Sequence, residues 1–178
     1  RHTATRIASE RFAARSRPRS NTRLVIDVGS DWLPVVRRWL ASGASRPTAI
    51  LLTHAHPDHA GGLAGGAPCP VYATAETWAR LGPGGVPPGL RRVVVPATVY
   101  RLGGGLSFEA APVAHSAGYP AIAARVRGCH GGNRVSVFVA HDVAALSPAA
   151  ARLLRGTDVY IGDGASYNRA IRPRGARG

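Results

Sequence analysis

The chain has 178 residues, with 23 basic and 9 acidic side chains, 7 His and a formal net charge of +14; every basic side chain is Arg and there is no Met. The length suits one domain, and a 45% hydrophobic content in recurring aliphatic runs supplies a core and excludes a disordered chain. No apolar stretch approaches the ~18 residues of a membrane-spanning helix, no signal-peptide core follows the basic start, and two Cys cannot build a disulfide framework, so the reducing cytoplasm is the default compartment.

The charge has two readings. It suits an anionic partner, either a small molecule or a nucleic acid. Arg in place of Lys throughout, with abundant Ala, Gly and Pro, is also what GC-rich codons produce. The denser basic runs, Arg11 to Arg23 and Arg169 to Arg177, lie near the ends, where they are usually solvated. Compositional bias therefore ranks ahead of a dedicated nucleic-acid surface.

In chain order, Thr5–Ser9 has the pattern of a short strand and Arg15–Thr22 that of a loop. Leu24–Val28 is a compact apolar run stopped by Asp27-Val28-Gly29, a buried strand ending at a turn. Trp32 to Leu40 places Trp32, Leu33, Val36, Trp39 and Leu40 on one helical face, with Pro34 in the first turn. Ala49–Thr53 is a second buried strand running into His54-Ala55-His56-Pro57-Asp58-His59. Pro70–Thr74 follows as a strand and Ala75–Leu81 as a short helix. Val93–Val95, Val99–Leu102, Leu106–Val113, Ala121–Val126 and Val135–Ala140 are β-type segments between turn residues. Ser147–Leu154 reads as a helix capped by Ser147, and Asp158–Gly162 as a last, buried strand. The order is α/β: strand–helix units first, a β meander later.

Chemistry concentrates in His54-x-His56-x-Asp58-His59. Two His two apart on an extended segment point to the same side, and a loop after a buried strand holds them at a sheet edge. Neutral imidazoles suit Zn²⁺. Four ligand-type side chains exceed what one ion with an open position can use, whereas a pair of ions would use them all. Gly61-Gly62 lets backbone pack closely beneath a crowded site. The alternative is a surface His cluster.

The segment Thr53-His54-Ala55-His56-Pro57-Asp58-His59-Ala60-Gly61-Gly62 resembles the signature of the metallo-β-lactamase-fold hydrolases. Asp27, ending the strand before it, His115 in Ala114-His115-Ser116, and Asp142 after Val137–His141 match the order of the family's other site residues. The resemblance covers roughly residues 21–163. It implies an αββα four-layer sandwich in one domain spanning 1–178, with His54, His56 and His115 on a first metal and Asp58 and His59 on a second. Asp142 would bridge the two. It implies two divalent ions, Zn before Mn or Fe, sharing a water whose pKa falls toward neutrality and which becomes the nucleophile. Asp58 would orient that nucleophile and handle its proton. Asp27 would orient a ligand His or the signature loop, and His141, pointing the opposite way from Asp142, would be exposed or play the same supporting part.

The family also carries a final His beyond the segment that Asp158–Asp163 resembles, and a first strand that would precede residues 1–9. No His follows His141 in this chain. The resemblance therefore implies a fold incomplete at both ends, an Arg-rich tail over 164–178 and a weakened second metal site. Asp163 is acidic as in tRNA-processing relatives, which allows a catalytic role, although a turn Asp before Gly164 ranks ahead. His130 and Cys129 read as residues of the turn around Gly128–Gly132, and Cys69 as an ordinary thiol.

Three functions follow from these residues. The first is a phosphodiesterase or nuclease-like metallo-hydrolase of the RNase Z-like and cyclic-phosphodiesterase branch, favoured by Asp58, Asp142 and the positive charge. The second is a lactone, thioester or β-lactam hydrolase, for which Tyr119 or Tyr167 could supply an oxyanion partner. The third is a degenerate, non-catalytic domain lacking the last ligand. The sequence leaves oligomeric state open.

Overall fold

The structure is a computed structural model that describes residues 5–7, 22–42, 46–116, 119–130 and 132–162; for 5–7 and for Leu33, Val36, Arg37, Trp39, Leu40 and His130 it describes the backbone alone. Asp163, Tyr167 and the Arg-rich tail lie outside the described residues.

Eleven strands and four α-helices are described. The first half contains β1 (Thr5–Ile7), β2 (Leu24–Ile26), α1 (Trp32–Ala41), β3 (Ala49–Leu51), α2 (Pro57–Ala60), β4 (Val71–Ala73), α3 (Ala75–Leu81) and β5 (Arg91–Val93). They form a five-stranded sheet in the order β1-β2-β3-β4-β5, with β1 antiparallel to β2 and the others parallel. The second half contains β6 (Val99–Gly103), β7 (Leu106–Ala114), β8 (Ala121–His130), β9 (Asn133–Ala140), β10 (Ala145–Leu146), α4 (Pro148–Leu154) and β11 (Val159–Gly162). Its sheet runs β10-β7-β8-β9-β11, with β6 also paired to β7, and is antiparallel except for β9 with β11.

Strand alternation explains how the layers separate. Leu24, Ile26, Ala49 and Leu51 face the second sheet and meet Phe108, Ala110, Ile122, Ala124 and Val139 there. The intervening Val25, Ile50 and Leu52 face the other way, against Trp32, Leu63 and Trp78. On the second sheet, Ala111, Val113, Ala123 and Phe138 turn outward onto Ala150 and Leu153 of α4. The result is the four-layer αββα sandwich implied by the resemblance. Ser147 caps α4 as expected, its hydroxyl accepting from Ala150 N–H at 3.1 Å.

Several expectations are corrected. The strand expected at Val93–Val95 lies at Arg91–Val93. The β8–β9 hairpin continues past the expected ends, pairing Cys129 with Arg134 and His130 with Asn133. Both residues therefore belong to a strand rather than a turn. The last strand is an edge strand, with Val159 and Tyr160 exposed rather than buried. The segment after His56 is the single helical turn α2, with Pro57 in its first position, followed by a 3₁₀ turn over Gly61–Gly65. Cys69 is buried among apolar groups, which pushes its thiol up to about 12, and Cys129 is exposed.

Candidate metal centre

Apart from Asp58 and His59, which lie on α2, the site residues follow the C-terminal ends of strands. Asp27 follows β2, Thr53 and His54 follow β3, His115 follows β7, and His141 and Asp142 follow β9. The two sheets are tied at this rim, since Ile122 N–H donates to the Thr53 carbonyl at 3.0 Å. Asp27 and Asp142 both take left-handed backbone, with φ of 58° and 53°. Non-Gly residues rarely do so, and Asp is among the few, with Asn and His, that are enriched there. At Asp142 this turn ends the extended chain, so the alternation that would send His141 outward fails.

The signature folds as a turn clamped onto β2. The Val28 N–H donates to the His59 carbonyl at 2.6 Å, and the Gly62 N–H returns to the Val28 carbonyl at 2.9 Å. A Cβ on Gly62 would land on the Gly29 carbonyl oxygen, 2.6 Å from Trp32 Cβ and 2.9 Å from the Val28 oxygen. On Gly61 a Cβ would find nothing nearer than 3.8 Å. Of the Gly pair, only Gly62 is required by close packing. Gly62→Ala is expected to destabilise the fold by about 3 kcal/mol and Gly61→Ala to be nearly neutral, read by thermal denaturation of the two variants.

The side chains expected to bind metal converge. His54 Nε2 lies 3.0 Å from His56 Nδ1, which lies 3.1 Å from His115 Nε2. These three, with Asp142, present ligand atoms within 4.8 Å of one another. Asp58, His59 and Asp142 form an adjoining group that shares Asp142. His59 Nε2 is 2.8 Å from Asp142 Oδ2 and 3.7 Å from Asp58 Oδ2. His54 and His59 are buried, and Asp58 stands half-exposed at the mouth.

Asp27 lies beneath both groups. Its Oδ1 accepts the Thr53 N–H at 2.7 Å, and its Oδ2 accepts the Thr53 hydroxyl at 2.7 Å. Oδ2 also faces His59 Nδ1 and His141 Nδ1, each at 2.8 Å. Burial alone would raise its carboxyl, but the hydrogen bonds and charges of His141 and His59 outweigh that and hold it at about 2. An ionised carboxylate only accepts, so His59 and His141 carry their protons on Nδ1. The Thr53 hydroxyl spends its one proton on Asp27, so His54 Nδ1, 3.0 Å away, donates to Thr53. His54 thus turns an unprotonated Nε2 toward the centre, while the Nε2 of His59 faces the carboxylates of Asp142 and Asp58.

This arrangement fits divalent metal binding. One proton on His56 Nδ1 cannot satisfy three nitrogens at 3.0–3.1 Å, whereas ligands of a tetrahedral Zn²⁺ lie about 3.3 Å apart. Burial, with the nearby His59, lowers His54 to about 4, and burial with His115 lowers His56. Both are therefore neutral at neutral pH. His59 behaves oppositely: burial lowers it, but the Asp27 hydrogen bond and the charges of Asp27, Asp142 and Asp58 together raise it. That carboxylate excess draws positive charge into the second group.

The Beta-lactamase superfamily domain model matches residues 22–173. The chain belongs to this family. Its fold is that of the metallo-β-lactamases, a metallo-hydrolase fold. Similar solved structures include MEM-A1, a subclass B3 metallo-β-lactamase from a soil metagenome library, with 19% identity, TM-score 0.58, and 83% of this chain and 70% of that one covered. Zn²⁺-bound PqqB from Methylobacterium extorquens gives 18% identity, TM-score 0.58, and covers 84% and 58%. A diphosphatase of the PhnP family gives 22% identity, TM-score 0.55, and covers 79% and 56%. No curated protein matches the chain.

Two contributors to this superfamily site carried no sequence signal of their own. Thr53 was part of the motif without a role, and it links Asp27 to His54. Tyr119 packs its ring 3.9 Å from the His56 ring, centroid to centroid, although nothing around it in the sequence singles it out.

Proposed function

We propose that the chain is a two-metal, zinc-type hydrolase that cleaves phosphodiester bonds in an anionic small molecule or nucleic acid. The observation that carries this reading is the pair of adjoining donor groups sharing Asp142. His54, His56 and His115 would hold the first ion, Asp58 and His59 the second, and Asp142 both. Bound there, two divalent cations lower the pKa of a water toward neutrality and neutralise charge on phosphoryl oxygens. Three imidazole nitrogens and a carboxylate suit Zn²⁺ in the first position; the oxygen-richer second position also accepts Mn²⁺ or Fe²⁺.

The remaining steps belong to the chain's own groups. Asp58, at the mouth, accepts the proton of the attacking water as its oxygen bonds to phosphorus. It returns that proton to the alkoxide released when the opposite P–O bond breaks. Asp27 fixes the orientation of His59 directly and of His54 through Thr53, so the donor atoms need no rearrangement. The free thiols Cys69 and Cys129 suit a reducing compartment, and we place the protein in the cytoplasm. Among the described residues no helix is long and apolar enough to cross a membrane.

The test is turnover of bis-p-nitrophenyl phosphate by the chain with added Zn²⁺ or Mn²⁺, beside a lactone and nitrocefin, with metal content measured on the same sample. Diester turnover with two metals per chain is expected. Turnover of the lactone or nitrocefin without the diester overturns the bond assignment in favour of an acyl hydrolase. One metal or none, with no turnover, overturns the enzymatic reading in favour of a degenerate domain.

A further inference from the structure

The outer face of the second sheet is covered only in part. α4 packs on Ala111, Val113, Ala123 and Phe138, toward the end of the sheet that carries the metal centre. The other end of this face is polar, and strand register decides its composition. β6, β7, β8 and β9 pair so that Arg101, Ser107, Arg127 and Ser136 stand in one cross-strand row. Directly opposite residues share a face, and the two-residue period puts Ser107 on the face of Ala111 and Ser136 on that of Phe138. Arg134 lies two residues from Ser136 on the same face, opposite Cys129. Arg101, Arg127 and Arg134 are exposed.

Arg101 and Arg127 flank Ser107 about 10 Å apart, twice the strand spacing. In the next row Glu109 accepts from Arg125 at 3.2 Å, with Arg127 3.9 Å from the same oxygen. Asp158, at the border of the face, accepts the Ser136 N–H at 2.7 Å. Arg101 and Arg134 have no ion pair among the described residues. Arginines scattered along the sequence are thus gathered by strand pairing into one basic patch.

An occupant of this patch must be anionic. The chain's own remaining segments do not qualify, since 8–21 and 163–178 each carry four Arg and one acidic residue. A second copy meeting it face to face presents the same charge. Membrane surfaces are read by basic clusters on amphipathic helices or beside a spanning helix, whereas these Arg stand on strands. Planar guanidinium forks suit discrete phosphates, and a nucleic acid repeats them along a line. Ser107 lies near the start of β7 and His115 just past its end, roughly 26 Å apart at ~3.3 Å per residue. A small anion at the metal centre cannot span that distance; a polymer can.

We propose that this face binds the phosphate backbone of a nucleic acid through Arg101, Arg127 and Arg134, which makes a polynucleotide the substrate of the metal centre. The substrate clause rests on the phosphodiesterase reading, but the surface itself is measurable without turnover.

The experiment follows the anisotropy of a fluorescein-labelled oligouridylate of about 20 nucleotides with the full chain, across a salt titration. One variant combines Arg101→Ser, Arg127→Ser and Arg134→Ser. A charge-matched control combines Arg38→Ser, Arg46→Ser and Arg92→Ser, on exposed residues in the first half of the chain. The patch variant is expected to bind at least about tenfold more weakly at low salt, and to flatten the slope of log K against log salt by about 2, at ~0.7 per lost phosphate contact. The control is expected to change affinity less than about threefold, because it alters only the screened, long-range field. Turnover of bis-p-nitrophenyl phosphate is expected to be unchanged in the patch variant.

Equal loss in both variants, or no binding by the parent chain, overturns the surface. Vesicles containing phosphatidylserine that bind the chain more tightly than the oligouridylate, and lose that binding in the patch variant, overturn the nucleic acid in favour of a membrane. Diester turnover with oligouridylate binding indifferent to the patch overturns the surface and leaves the function standing. Patch-dependent oligouridylate binding without diester turnover overturns the function and leaves the surface standing.

Discussion

His56→Ala is expected to lower kcat on the order of 10³-fold or more, a barrier increase of about 4 kcal/mol, while leaving the thermal midpoint nearly unchanged. The geometry makes His56 the cleanest ligand to remove. Its Nδ1 is the common neighbour of His54 and His115 at 3.0 and 3.1 Å, so its loss leaves the first donor group with two imidazoles that no longer close around a common point. The backbone at His56 is ordinary extended chain, φ −64° and ψ 146°, and although it stands at the N-cap of α2 its side chain makes no capping bond. The ring is only half-buried, so deletion leaves no sealed cavity. His54→Ala would confound the result. That ring is fully buried and hydrogen-bonded through Thr53 to Asp27, so its removal costs stability as well as metal. The measurements are kcat for bis-p-nitrophenyl phosphate, zinc per chain and thermal denaturation of His56→Ala. Activity within about threefold of wild type with unchanged zinc would remove His56 from the metal centre.

The donor run was legible because residue type and spacing are local. His54 and His56 alternate on extended chain and do reach one centre, as the two-residue period requires. Asp27 was legible as a supporting group only through the resemblance, which places an Asp at the end of that apolar run. Its partners were not. His59 meets it because α2 and the 3₁₀ turn fold the signature back over β2, and His141 meets it across 114 positions of sequence separation because two sheets pack rim to rim. Periodicity cannot report a contact of that kind. The same limit explains β11: Val159, Tyr160 and Ile161 are an apolar run, and such a run does not distinguish an edge strand from a central one. Gly128 suggests a turn at Cys129 and His130, yet both stay paired, with Arg134 and Asn133. Arg101 and Arg127 form one row only once β6, β7 and β8 pair in register.

Asp27→Ala is expected to cost about 3–5 kcal/mol of stability, a fall of roughly 10 °C in Tm for a chain of this size, and to weaken metal binding. The reason lies in what the carboxylate accepts. Removing it strands the buried Thr53 N–H, the Thr53 hydroxyl and the Nδ1 protons of His59 and His141, which now donate at 2.7–2.8 Å, and each buried unsatisfied donor is costly. Ala also sits poorly in the left-handed backbone that Asp27 occupies at φ 58°. Asp27→Asn separates these causes. Asn tolerates that backbone and keeps one acceptor oxygen, so most of the stability is expected to return. Its NH₂ group, however, faces donors where a carboxylate oxygen stood. One imidazole must then rotate or move its proton to Nε2, which is the atom His59 turns toward Asp142 and Asp58. Zinc affinity is therefore expected to stay about 10–100-fold weaker in Asp27→Asn, with loss concentrated in the second of two binding steps resolved by zinc titration against a competing chelator. Recovery of both stability and affinity in Asp27→Asn would mean that Asp27 only fills space and backbone conformation at the rim. Recovery of stability without affinity would mean that its charge sets which nitrogen each His offers to the metal.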